Sequence, residues 1–436
     1  MSSTSFPLEI YLTIIGEVFN SQDSFRPISH QTDRARYQAL RTQRLAWSRS
    51  LAGVCRAWVN PARTLFWEEV TLFSVPELVA FARAVDDDSA KPACIRRLYF
   101  RFPSARCYPA YPVGSPSIST TVVDEARRYF SLTLRRLPTH LNVLHIDCDW
   151  KLGHRALYDS LEDANRDPTW KIDVRALVIA WRPISYYDTF AYFTFARNIV
   201  HLELTITGHD DYDTFRLQSL QLQSIVLQMQ FDHGSRRYMP NAAGVLKRAL
   251  RVACTNLQSL TLNLLDHDEV GPVFYTEAAA EVLSLAGPST SVLKLCAKPI
   301  SNPNNIVTVL AAGNAFTLCP SLQHVQLDSC GVSPDVFQRL GCSALRQLEV
   351  IVTERLYPSS RDGVETMRDI LASINLEELA NLEELVVNFS DLDRDDTPYP
   401  SLISKLGPWA GTKQAWKSLE MACAARHIAC TIHHPD

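Results

Sequence analysis

The sequence has no C-x-x-C pair among its 11 cysteines, no excess of lysine and arginine, and no apolar run of bilayer length. An odd, unpaired set of cysteines excludes a complete disulfide framework and the commonest zinc spacing, and it points to a reducing compartment, cytoplasmic or nuclear. Lys and Arg number 43 against 47 Asp and Glu in 436 residues, a net charge of -4, so nucleic acid is an unexpected partner. The opening "MSSTSFPLEIYLTIIGEVF" comes nearest to a leader, but it lacks basic residues at its start and carries Glu9 and Glu17. No stretch approaches the roughly 20 apolar residues of a spanning helix, and no membrane partner is expected.

Catalytic signatures are lacking too. The chain contains no G-x-x-x-x-G-K-[ST], H-E-x-x-H or G-x-S-x-G. The run "DLDRDD" from Asp391 begins like a calcium loop, but Asp396 stands where a turn-making glycine is needed and Leu402 where a bidentate glutamate belongs. The acidic runs "GHDDYD" (208–213) and "DDD" (86–88) read as solvated loops. The expectation is therefore a non-catalytic chain without metal or cofactor.

What is present is a repeat. The pattern apolar-x-x-apolar-x-apolar occurs as "IRRLYF" (95), "LNVLHI" (141), "VRALVI" (174), "IVHLEL" (199), "LQSIVL" (222), "LQSLTL" (257), "LQHVQL" (322), "LRQLEV" (345) and "LEELVV" (382). A weaker version, "TSVLKL", begins at Thr290. Most successive copies lie about 23 to 37 residues apart, longer and less even than a regular leucine-rich repeat. Helix-like spans separate them, at 242–255, 276–287 and 305–320. Strand, helix, strand at this spacing predicts parallel strands on one side and helices on the other. The sequence "TKQAWKSLEMACAARHIACTIHH" predicts a closing helix from about Thr412 to Arg426 and a last strand through Ile428, Cys430 and Ile432, a cap for the array. The chain from about 90 to 432 resembles an irregular leucine-rich repeat arc, an α/β solenoid with its strands on the concave side.

Within each strand the repeat's apolar residues point inward, and the residues between them point out by the two-residue alternation. This exposes Val143, His145 and Asp147; His201, Glu203 and Thr205; Ser259, Thr261 and Asn263; His324, Gln326 and Asp328; and Gln347 and Glu349. A polar strip with few cations suits a protein or peptide target that brings hydrogen-bonding or basic groups. From it His145, Asp147, His201, Glu203, Thr205, Thr261, Asn263, His324, Gln326, Asp328 and Glu349 are the candidate target-binding residues.

The first seventy residues differ. Leu8, Leu12, Ile15 and Phe19 recur along one helical stripe, with Pro7 and Glu9 suited to its first turn. In "LAGVCRAWVNPARTLFWEEVTL" Leu51, Val54, Cys55 and Trp58 follow the i, i+3, i+4, i+7 pattern of a second helix that Pro61 should stop. Two or three short helices cannot bury so much apolar surface alone. Residues 5–72 resemble an F-box: a Phe-Pro-Leu-Glu-Ile opening, an apolar helix, then Val-Cys-Arg-Ala-Trp and Leu-Phe-Trp. The resemblance implies docking on a Skp-family adaptor, and through it a cullin, by Pro7, Leu8, Ile10, Leu12, Ile15, Val54, Cys55, Trp58 and Trp67. It implies a substrate receptor of a ubiquitin ligase, residues 1–75 as the F-box-like domain and 76–436 as the repeat domain. A protein-binding scaffold with no ligase role is the alternative. One departure from the family is a long basic insert at about 21–50, with Arg26, Arg34, Arg36, Arg41, Arg44 and Arg49 against Asp23 and Asp33. It reads as a solvated loop running into the second helix, or as a surface for an acidic contact.

Overall fold

The computed structural model describes residues 34–54, 56–87, 90–102, 120–148, 160, 172–180, 196–206, 222–230, 256–265, 279–280, 282–298, 315–329, 336, 340, 342–354, 371–372, 374, 376–377, 379–391 and 410–433. Those up to Ile199 belong to one compact unit and those from Val200 onward to another. In both, an open sheet of parallel strands runs in the order of the chain, with helices among its connections. No described helix is long and apolar enough to cross a membrane.

The first unit begins with α1 (Arg34–Val54) and α2 (Arg56–Trp67). Here the structure corrects the sequence reading. The C-terminal part of the basic insert is helix, and Arg44 within it is buried rather than solvated. Pro61 lies inside α2 instead of stopping it. A proline there removes one backbone bond, and packing offsets the loss: buried Ala62 meets Leu51 of α1, with Ala52, Trp58 and Leu65 around them. Because α1 ends at Val54 and α2 begins at Arg56, the expected stripe does not run along one helix, and Val54 is 63% exposed.

After α2 the chain enters β1 (Glu69–Leu72), then α3 (Val75–Asp87), α4 (Ala90–Cys94), β2 (Arg97–Phe102), α5 (Thr120–Arg136), β3 (His140–Cys148), β4 (Ile172–Ala180) and β5 (Ala196–Arg197). The sheet order is β1-β2-β3-β4, with β5 beside β4. "SVPE" starts α3 for identifiable reasons. Ser74 Oγ accepts the Glu77 N–H at 3.4 Å, the Glu77 carboxylate accepts the Phe73 N–H at 2.8 Å, and Pro76 sits in the first turn, where its missing N–H leaves nothing unpaired. Helices α3 and α5 lie together, tied at the surface by Arg136 to Asp86 at 2.8 Å. Phe130 of α5 meets Phe100 of β2 edge-on at 5.2 Å, which puts these helices on the face of the repeat's apolar residues.

The second unit carries β6 (His201–Ile206), β7 (Ser224–Gln230), β8 (Ser259–Leu265), β9 (Val292–Lys298), β10 (His324–Ser329), β11 (Gln347–Glu354), β12 (Glu384–Asp391), α6 (Ala410–Ala425) and β13 (Ala429–His433). Every copy of the repeat from 199 to 382 is a strand, the weak one at 290 included. Their third apolar positions align into a row: Leu204, Leu227, Leu262, Leu295, Leu327, Val350 and Val387, all buried. At about 1.5–3 kcal/mol for each enclosed side chain, such rows hold the unit together. A second ladder runs one residue before each strand, from the N–H of Gln258 to Gln223 O at 2.9 Å, of Ser291 to Gln258 O at 3.0 Å, and of Gln323 to Ser291 O at 2.8 Å.

Two local devices let weak copies keep the frame. Thr290 stands where the other copies have leucine, isoleucine or valine, and its buried hydroxyl donates to Ala286 O at 2.8 Å. Gly287, at the start of the short turn Gly287–Ser289, is pressed on the next repeat: a Cβ there would lie 2.5 Å from Leu318 O and 2.8 Å from Cys319 Sγ. The cap forms where the sequence places it. Helix α6 ends at Ala425 and is closed by His427 in the left-handed region (φ 60), its N–H on Ala424 O at 3.1 Å and that of Ile428 on Cys423 O at 2.9 Å. This is the paired closure that ends many helices, and it turns the chain straight into β13.

Candidate functional site

The face opposite the leucine rows of the second unit is built by registry. Adjacent parallel strands lie about 4.8 Å apart, so residues in register stand as neighbours across the sheet. One row runs His201, Ser224, Ser259, Val292, His324, Gln347 and Glu384. The next runs Glu203, Val226, Thr261, Lys294, Gln326, Glu349 and Val386. Thr205, Asn263 and Asp328 occupy positions of a third row. Side chains of the first two rows are half-buried, in contrast with the enclosed leucines beneath. The structure thus brings His201, Glu203, Thr261, Asn263, His324, Gln326 and Glu349 onto one face, as alternation predicts.

The centre of this face lies on β9, β10 and β11, where Lys294, Gln326 and Glu349 stand side by side. Lys294 escaped the sequence reading because its repeat opens on Thr290; the alternation within "TSVLKL" was the signal that could have found it. His324 Nε2 and Gln326 Oε1 are enclosed and make no hydrogen bond among the described residues. Enclosed polar atoms of this kind cost free energy until a partner reaches them.

Burial lowers the His324 pKa below 6.5, and the nearby Lys294 cation lowers it further, while Glu349 and Glu384 oppose the shift. At pH 7 the imidazole is neutral, able to donate from one ring nitrogen and accept at the other. Protonation favours the unfolded chain, where the pKa is the ordinary one. The stability linked to His324 is therefore complete above pH 6.5 and falls as the solution is acidified through the lowered value. The expected result is a urea midpoint that drops less between about pH 7 and pH 5 in His324→Gln than in the parent chain. Equal drops in the two proteins would remove His324 from the balance.

The corresponding face of the first unit is closed over Tyr99, His145 and Val178. His145 is 1% exposed and Asp147 8%, so these two are corrections to the expected open strip. The Tyr99 ring lies against His145 at 5.6 Å, and Arg101 Nε stands 3.7 Å from Asp147 Oδ2 while its guanidinium covers the Phe73 ring. Alternation assigns the side of the sheet, and neighbours decide exposure. Val143 remains half-buried.

Of the expected adaptor-facing residues, Pro7, Leu8, Ile10, Leu12, Ile15 and Cys55 lie outside the described residues. Val54 and Val59 are exposed, at 63% and 42%. Trp58 is half-buried against the Leu51–Ala62 contact. Trp67, also half-buried, meets Phe66 edge-on at 6.0 Å and Phe81 at 6.2 Å.

Among the described residues no group of three or more His, Cys, Asp or Glu is placed to hold a metal ion. The acidic runs at 208–213 and after Asp391 lie outside them, and Asp86 is engaged by Arg136. Burial pushes the Cys319 thiol up to about 12, with Cys342 adding to the shift, and pushes Cys342 itself up to about 11. Both stay protonated at neutral pH and are poor nucleophiles. No protein-family model matches the chain, and no curated protein sequence matches it.

Proposed function

We propose that this chain is a non-catalytic substrate receptor of a Skp-cullin-F-box ubiquitin ligase, in which the F-box-like N-terminus docks on the adaptor and the leucine-rich repeats hold the target. The carrying observation is the polar face of β6 to β12 in the second unit: a firm leucine-backed sheet with half-buried Lys294, Gln326 and Glu349 in line and two polar atoms without partners among the described residues. A target segment that hydrogen-bonds the half-buried Gln326 and His324 side chains and brings a cation to Glu349 fits that line. Exposed Val54 and Val59 beside half-buried Trp58 support a docking role for the helical N-terminus. An odd number of cysteines without a C-x-x-C pair is consistent with work in the cytoplasm or nucleus.

A second reading has its own support. The Arg96 and Arg97 N–H groups both bond Glu68 O, at 2.8 and 2.9 Å, so α2 runs directly into the sheet, as a cap would. On that reading the repeats are a protein-binding scaffold and the helices only close one end. Co-purification from cells separates the two. A ligase receptor takes up a Skp-family adaptor, and Leu8→Asp or Trp58→Asp abolishes that uptake while Gln326→Ala leaves it intact. A folded, monomeric chain that recovers no adaptor decides for the scaffold.

A further inference from the structure

In the first unit a cavity of about 350 Å³ opens between α1, the end of α2, β1 and α3. This volume falls within the roughly 300–1,000 Å³ typical of small-molecule sites, which combine an apolar lining with a few polar groups. The composition matches. Trp67 and Phe81, 6.2 Å apart and tilted by 32°, form an aromatic corner with Phe66 and Leu72, while Ala80 and Ala84 leave the α3 side open for want of bulk.

Four charged side chains also line the cavity: Arg41, Arg44, Glu69 and Glu77. Three are engaged within the fold. Arg44 and Glu69 stand 3.7 Å apart, both buried. Glu77 Oε2 accepts the Phe73 N–H at 2.8 Å as part of the α3 start. Arg41 is exposed at the rim and forms no ion pair among the described residues. The charge left for a guest is therefore one guanidinium at the mouth, above an aromatic floor. A guanidinium pairs best with a carboxylate, through two parallel hydrogen bonds.

We propose that this cavity binds a small amphiphilic carboxylate, its ring or short chain against Trp67 and Phe81 and its carboxylate on Arg41. The site shares Trp67 with the residues expected to face the adaptor and none with the repeat face, and it is tested on the chain without adaptor, so it stands or falls apart from the proposed receptor role. Neutral molecules of the same shape gain the apolar contact but not the ion pair, and cations gain nothing, because both glutamates are already engaged.

The test is calorimetric titration of the full chain with phenylbutyrate, and with phenylbutanol as its uncharged counterpart. Phenylbutyrate should bind with a Kd of about 0.1–1 mM, the range open to a ligand of that size. Arg41→Gln should weaken it about tenfold and leave phenylbutanol unchanged. Ala80→Phe, at an exposed position whose new ring enters the cavity, should abolish binding of both. Both substitutions are on exposed helical positions, and unchanged urea midpoints will show that the variants fold. Absence of binding to the parent chain overturns the proposal, as does equal affinity for acid and alcohol or full binding by Ala80→Phe.

Discussion

Glu69→Ala is expected to destabilise the first unit by about 3–5 kcal/mol, the usual cost of leaving one member of a buried ion pair behind. Arg44 and Glu69 have side chains only 8% and 3% exposed and stand 3.7 Å apart. One partner comes from α1 and the other from β1, so the pair clamps the basic helix to the first strand. Removing the carboxylate takes this ion pair away from a guanidinium that is 8% exposed. Replacing both, by Arg44→Met with Glu69→Leu, removes the remaining charge and keeps the volume, and this double variant should recover most of the loss. Urea melts of the two single variants and the double variant give the coupling directly. A loss below about 1 kcal/mol for Glu69→Ala would mean that water reaches the pair and that α1 is held by apolar contacts alone.

Leu348→Ala is expected to cost about 2–5 kcal/mol, since the leucine is fully enclosed and its row is held rigidly on both sides. Its register partners are Val325 on β10 and Leu385 on β12, both also fully enclosed. Strands fixed by two ladders cannot move in to refill the space. Cys430→Ala offers the contrast: it continues the same row on β13, is half-buried, and loses a smaller group, so its cost should stay below about 1.5 kcal/mol. Urea midpoints at constant m-value measure both. Similar losses at the two positions would show that the row does not tighten away from its end.

The period of the apolar residues made β2 to β4 and β6 to β12 readable in advance. Leu98, Leu144 and Leu177 and their later counterparts are buried where the pattern puts them. The cap was readable for the same reason, with an amphipathic helix leading into Ile428. Helix α1 was not: its segment "RARYQALRTQRLAWSRSLAGV" is basic and polar on average, and it gains order from distant partners, Leu40 on Phe73 and Arg44 on Glu69. Pro61 misled for a related reason, because contacts with Leu51 outweigh the bond it removes.

Of the candidate site, the sequence by itself determined which residues share a face, because side chains alternate along a strand whatever surrounds it. It could not determine which parts of that face stay open. His145 and Gln326 hold equivalent places in their repeats, yet the first is enclosed, with Tyr99 against its ring, while the second stays half-buried. Tertiary structure decided that difference, since exposure depends on what distant segments lay over a surface, and that lies beyond the reach of any local pattern.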